Sequence, residues 1–199
     1  AATINRPPLY LSSNNGLVGY WTMDGSKVNW ATGAVTDSSG KGNTGFVVGT
    51  STPMSTSTAP VMGKIGQALK FDGVDDFVNA GDITTSIGAN TEGTVSLWFS
   101  STVTAPNSMF YWGQSGTNNN LFRLEIGSAQ TIEVLLKTTV DLYRATVNLG
   151  SSIGNRSWNH LLFTVSSTGN SLYYNGALQT LTYSTGSSSS NSWFDDIAS

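Results

Sequence analysis

Cysteine is absent from the chain's 199 residues, which excludes disulfides, thiolate zinc centres and cysteine nucleophiles. Charge is scarce as well. Asp, Glu, Lys and Arg make up 11% of the residues, against roughly 25% in an average soluble domain. The nine basic residues are scattered and the formal net charge is −3, so the basic footprint that nucleic-acid binding requires is missing. No apolar run approaches the roughly 18 residues of a spanning helix, and membrane insertion is not expected. Helical periodicity is lacking throughout. The single histidine, His160, is not assigned to a Ser-His-Asp triad. His160 reads instead as a strand residue facing solvent or hydrogen-bonded to a neighbour.

What remains is a chain rich in Ser, Thr, Gly and Asn, in which nearly every apolar stretch is strand-sized. "TVSLWFS" alternates, with Val95, Leu97 and Phe99 on one face and Thr94, Ser96, Trp98 and Ser100 on the other. Phe122, Leu124 and Ile126 oppose Arg123 and Glu125, and Leu161, Phe163 and Val165 oppose His160, Leu162 and Thr164. Asn175-Gly176 between two such segments is a strong two-residue hairpin signal, because both positions tolerate positive φ. About a dozen short strands separated by turn residues predict an all-β fold, a two-sheet antiparallel jelly-roll sandwich. Residues 1–15, with Pro7-Pro8, read as an arm or linker, and the domain is expected over residues 16–199. The serine tract at 184–192 reads as a long exposed, mobile connection.

The ordered motifs "GLVGYWTMDG", "VTDSSGKGNTG", "GKIGQALKFDGVDDFV", "TVSLWF", "SWNHLLFTV" and "LYYNGAL" resemble the laminin-G-like (concanavalin A-like) jelly-roll domains of bacterial surface and secreted proteins. The resemblance covers residues 16–178 and implies an extracellular or cell-surface domain that binds a glycan or other surface ligand. Such domains commonly end in a closing strand that pairs near the first. Trp193 to Ala198 is either a degenerate form of that strand or a segment preceding a closing hairpin. In the second case an open sheet edge would favour self-association by strand exchange, giving a structural or adhesive subunit.

Two groups of residues carry the chemical expectations. The loop at 35–47 holds Asp37 and Asn43 among glycines whose carbonyls can turn inward, and Asp24 ends the preceding strand; oxygen donors of this kind suit Ca²⁺. The resemblance adds Asp196 and a structural role for the ion. The alternative is that Asp37 and Asn43 close Asx-turns without metal. Asp72, Asp75 and Asp76 read as a turn whose carboxylates cap backbone N–H groups. For ligand binding, Trp98 and Tyr173 would supply flat rings for a pyranose, with Arg123, Glu125, Glu133, Lys137 and His160 as polar partners lining one face of a curved sheet. Among Phe110, Tyr111 and Trp112 at least one ring must leave the core, with Trp112 either at the rim of the ligand site or packed between sheets. The E-x-D-x-x-E strand of glucanases with this fold is not found, so catalysis is not expected and glycoside hydrolysis is a disfavoured alternative.

Overall fold

Strand alternation organises the chain, and antiparallel pairing joins the strands into four sheets. The computed structural model describes residues 16–49, 55, 59–87, 89–102, 106–113, 119–153 and 155–197; the arm expected at residues 1–15 lies outside them. Two compact units divide the chain, at residues 1–83 and 84–199.

In the first unit the strands are short: β1 (Val28–Asn29), β2 (Ala34–Val35), β3 (Gly45–Val48), β4 (Pro60–Met62), β5 (Gln67–Leu69) and β6 (Phe77–Asn79). They form one sheet in the order β1-β2-β3-β6 and a separate β4-β5 hairpin. The core is correspondingly small. Val28, Val35, Ala59 and Leu69 are buried, and the half-buried rings of Trp21 and Trp30 pack against them. With so little apolar area, polar ties between loop and strand take a larger share of the stability.

The second unit opens with one helical turn, α1 (Thr84–Ile87), followed by β7 (Gly93–Phe99), β8 (Asn107–Gly113), β9 (Leu121–Ile126), β10 (Thr131–Lys137), β11 (Asp141–Asn148), β12 (Asn159–Ser166), β13 (Gly169–Tyr174), β14 (Ala177–Leu178) and β15 (Thr182–Thr185). A five-stranded sheet runs β15-β11-β10-β9-β8 and a four-stranded sheet runs β14-β13-β12-β7. Their inner faces meet as a sandwich. Phe122 of β9 lies 5.7 Å, centroid to centroid, from Phe163 of β12. Ile132, Val134, Leu136, Leu161, Leu172 and Val165 fill the layer around these rings. Each such side chain contributes about 1.5–3 kcal/mol on full burial. Asn175 and Gly176 both adopt positive φ, 50° and 81°, as the hairpin signal requires.

One open alternative closes here and one expectation changes. Residues 193–197 do not form a strand: Phe194–Asp196 is a 3-10 turn, and Trp193, Phe194 and Ile197 are buried. Trp193 stacks on Phe194 at 4.2 Å, and both rings contact Phe122. Three bulky apolar residues within five gain more from filling the sandwich interior than from an edge ladder. The serine tract is exposed, as expected, but it is anchored. The buried Asn170 donates from its amide nitrogen to the carbonyls of Ser187 and Ser190 and accepts from the Tyr183 hydroxyl.

Candidate functional site

Residues opposite each other in an antiparallel ladder share a face, so the register shows what each outer surface carries. On the four-stranded sheet Trp98 pairs with His160, and Ser96 pairs with Leu162. Leu162 pairs with Tyr173, and Tyr173 with Leu178. The outer face therefore bears a Trp98–His160 row beside a Ser96–Leu162–Tyr173–Leu178 row. Trp98 is 46% exposed and Leu178 63%. The His160 ring lies 5.0 Å from that of Trp98, tilted by 44°. Its Nε2 is 2.9 Å from Ser96 Oγ, and its backbone N–H donates to Asn175 Oδ1. The indole thus lies against a ring that Ser96 holds through its Nε2.

The outer face of the five-stranded sheet is built differently. One row crosses all five strands: Tyr111, Arg123, Leu135, Arg144 and Thr185. Beside it Glu125 pairs with Glu133. Glu133 gathers both guanidinium groups, accepting from Arg123 Nη2 and from Arg144 Nε and Nη2, each at 3.0 Å. Arg123 Nε also lies 3.0 Å from Glu125 Oε2 as an ion pair. Burial pushes the Glu125 carboxyl above its ordinary range; the attraction of Arg123 opposes this and the neighbouring Glu133 adds to it. Tyr111 stands 48% exposed at one end of the row.

The residues expected to line one surface are therefore divided between two. Trp98, His160 and Tyr173 lie outside one sheet, and Arg123, Glu125, Glu133 and Lys137 outside the other, facing opposite ways. Trp112 packs toward the interior, 4.8 Å from Phe194, and Tyr111 is the ring that leaves the core. A bulge between Ser108 and Phe110 offsets the register of β8 against β9. That local irregularity has no mark in the sequence.

The loop at 35–47 closes through hydrogen bonds. Asp37 Oδ1 accepts from the backbone N–H groups of Tyr20 and Ser39, both at 2.9 Å, and Oδ2 from Ser39 Oγ at 2.7 Å and Asn43 N at 3.0 Å. Burial would raise this carboxyl, but those bonds outweigh it and hold the group below its ordinary value. Asn43 donates to the Val18 carbonyl at 2.8 Å, and Asp24 accepts from Ser26 N at 3.0 Å. A carboxylate offers about four lone-pair sites, and the protein's own donors take all four of Asp37's. Asp24, Asp37 and Asn43 belong to the first unit. Asp196 belongs to the second, where it accepts from Trp193 N at 3.1 Å. Engaged in this way, the residues do not fit a Ca²⁺ site, which needs about six to eight converging oxygens. Asp72 and Asp76 also cap backbone: Asp72 Oδ1 accepts from Val74, Asp75 and Asp76, and Asp76 Oδ2 from Asp72 N.

A family model described as the concanavalin A-like lectin/glucanases superfamily, of laminin G type, matches residues 72–197. The chain belongs to this superfamily. A segment of an S-layer domain-containing protein from Clostridium thermocellum superposes with a TM-score of 0.52 at 24% identity, over 82% of this chain and 71% of that one. The CBM40 of a Ruminococcus gnavus IT-sialidase, bound to α2,3-sialyllactose, gives 0.45 at 19%, over 58% and 63%. Domains LG4-5 of the mouse laminin α1 chain give 0.35 at 15%, over 81% and 54%. At 24% identity the first likeness is one of fold. Among curated proteins none matches significantly. In this member of the superfamily, one outer sheet face carries the exposed Trp98 and the other a cluster of paired ions.

Proposed function

We propose that this domain binds carbohydrate on the outer face of its four-stranded sheet and does not cleave it. The carrying observation is Trp98, nearly half exposed and braced by His160, which Ser96 fixes in turn. A rigid exposed ring suits the apolar face of a pyranose, and Ser96, His160 and the Tyr173 hydroxyl supply hydrogen-bonding partners alongside. Rigidity matters because little side-chain freedom is then lost on binding. The family's description names lectins and glucanases, both of which hold saccharides. We place the domain outside the cell or on its surface, to be checked by antibody labelling of intact cells.

One observation favours a hydrolase reading, namely Glu125 beside Glu133 on adjacent strands. Against it, Glu133 is tied to two arginines and Glu125 is only 9% exposed. A general acid must reach the leaving oxygen. The test of the main reading is a polysaccharide pull-down with wild type and Trp98→Ala. Loss of retention in the variant supports it; equal retention overturns it. Sugar release by the wild type would restore the hydrolase.

A further inference from the structure

The opposite face carries a hollow. On the five-stranded sheet a hollow of about 230 Å³ is lined by Leu121, Arg123, Leu135, Lys137, Asp141 and Arg144. Its floor is apolar: Leu121 is 5% exposed and Leu135 6%. Leu135 pairs with Arg123 on one side and Arg144 on the other, so the two guanidinium stems flank it. Lys137 pairs with Leu121 and with Asp141, which places a cation and an acceptor at the far rim.

The arginines are preorganised. Glu133 takes Nη2 of Arg123 and both Nε and Nη2 of Arg144, while Glu125 sits against Nε of Arg123. Among the described residues Nη1 of neither arginine makes a hydrogen bond, and Lys137 forms no ion pair. Each Nη1 carries two N–H donors in a plane already fixed by the glutamates. Planar, fixed guanidinium groups match a carboxylate better than a lone hydroxyl does. The formal charges cancel, three (Arg123, Arg144, Lys137) against three (Glu125, Glu133, Asp141), so a bare anion gains little from the general field. A ligand that also places a C–H face on the leucines and hydroxyls near Asp141 and Lys137 gains from every wall. The volume lies below the range of about 300–1,000 Å³ for drug-sized ligands, a size suited to a single ring.

We propose that this hollow binds a carboxylate-bearing pyranose, the acidic residue of a charged glycan, independently of the Trp98 face. The carboxylate lies between Nη1 of Arg123 and Nη1 of Arg144, with the ring over Leu121 and Leu135. Two sources share this chemistry, hexuronates and sialic acids.

The test is titration of the full chain, followed by NMR or calorimetry, with digalacturonate, N-acetylneuraminate and, as the neutral counterpart, galactose. At least one acidic sugar is expected to bind with Kd tighter than about 1 mM, and the better of the two identifies the source. In the Trp98→Ala variant, galactose is expected to bind at least tenfold more weakly than the acidic sugar. Arg144→Ala should weaken the acidic sugar at least tenfold and Lys137→Ala several-fold, while Trp98→Ala leaves it unchanged. Arg144→Lys keeps the charge and removes the fork, and is expected to lose several-fold in affinity with the melting temperature retained. No acidic sugar binding in that range, galactose binding equally well to the Trp98→Ala variant, or full affinity in both Arg144 variants would each overturn the proposal. Loss on Trp98→Ala would also overturn it, by moving the ligand to the other face.

Discussion

The two outer faces of the second unit obey the same alternation and yet end up as opposite kinds of surface. Outside the four-stranded sheet, Trp98 and Leu178 are exposed and the half-buried Tyr173 lies beside them with a single imidazole. Outside the five-stranded sheet, buried leucines alternate with paired ions, and Tyr111 is exposed at one end. The first surface offers contact area with few directional demands. The second offers fixed donors around a small apolar floor. Alternation determines only which side chains leave the core. What they do outside depends on which strands become neighbours.

A substitution in the shared interior should affect both faces together. Phe122 is fully buried and touches Phe110, Phe163, Trp193 and Phe194. Phe122→Ala is expected to cost about 3–5 kcal/mol in denaturant unfolding, from lost transfer energy plus the cavity. Binding on either face should fall only in proportion to the unfolded fraction. Loss of one face with the other intact would mean that the faces do not share a scaffold.

Next in size is a change that should leave both faces alone. Asp37→Ala removes the acceptor of four hydrogen bonds in the first unit and is expected to cost about 1–3 kcal/mol in thermal or denaturant unfolding. Because Asp37 is held below its ordinary pKa of 3.8, its contribution is fully present above that value and lost as pH falls through the lowered folded value. The variant should therefore lose stability less steeply on acidification than the wild type.

Glu125 has the opposite sign and belongs to the charged face only. Its carboxyl is raised above 4.5 in the fold, so ionisation is disfavoured there relative to the unfolded chain. Its contribution to stability falls as pH rises from about 4.5 through the raised value. Glu125→Gln should flatten that part of the pH–stability curve by less than about 1 kcal/mol, given the partly exposed arginines that screen the group. An unchanged slope would mean that Glu125 does not titrate in this window. The smallest effect expected is that of EDTA. With Asp37's lone pairs filled by protein donors, the melting temperature of protein prepared in Ca²⁺ should not move on chelation, and a fall of several degrees would place an ion at the loop after all.

Much of the inner layer could be read in advance. Val95, Leu97 and Phe99, Phe122, Leu124 and Ile126, and Leu161, Phe163 and Val165 all turn inward as period two requires, because one-sided burial leaves no other register. Asn175-Gly176 was equally legible, since local φ needs fix the turn. The outer surfaces were not. Trp98 and Arg123 both point outward, but from opposite sheets, and nothing between residues 93 and 126 states that β7 pairs with β12 rather than with β9. Trp112 packs between the sheets and Tyr111 leaves the core, a phase that the alternation of residues 110–112 permits but does not choose. Residues 193–197 carried an acidic pair compatible with a strand or with a segment before one, while their burial depends on rings 30 (Phe163 to Trp193) to 84 (Phe110 to Phe194) positions away.

The most direct test is a single comparison of neutral polysaccharide affinity in wild type, Trp98→Ala and Arg144→Ala, each with its melting temperature. The expected result is at least a tenfold loss for Trp98→Ala, about 1.4 kcal/mol, no loss for Arg144→Ala, and folding intact in both. Undiminished binding by Trp98→Ala, with the loss appearing in Arg144→Ala, would contradict the assignment of the saccharide platform to the four-stranded sheet.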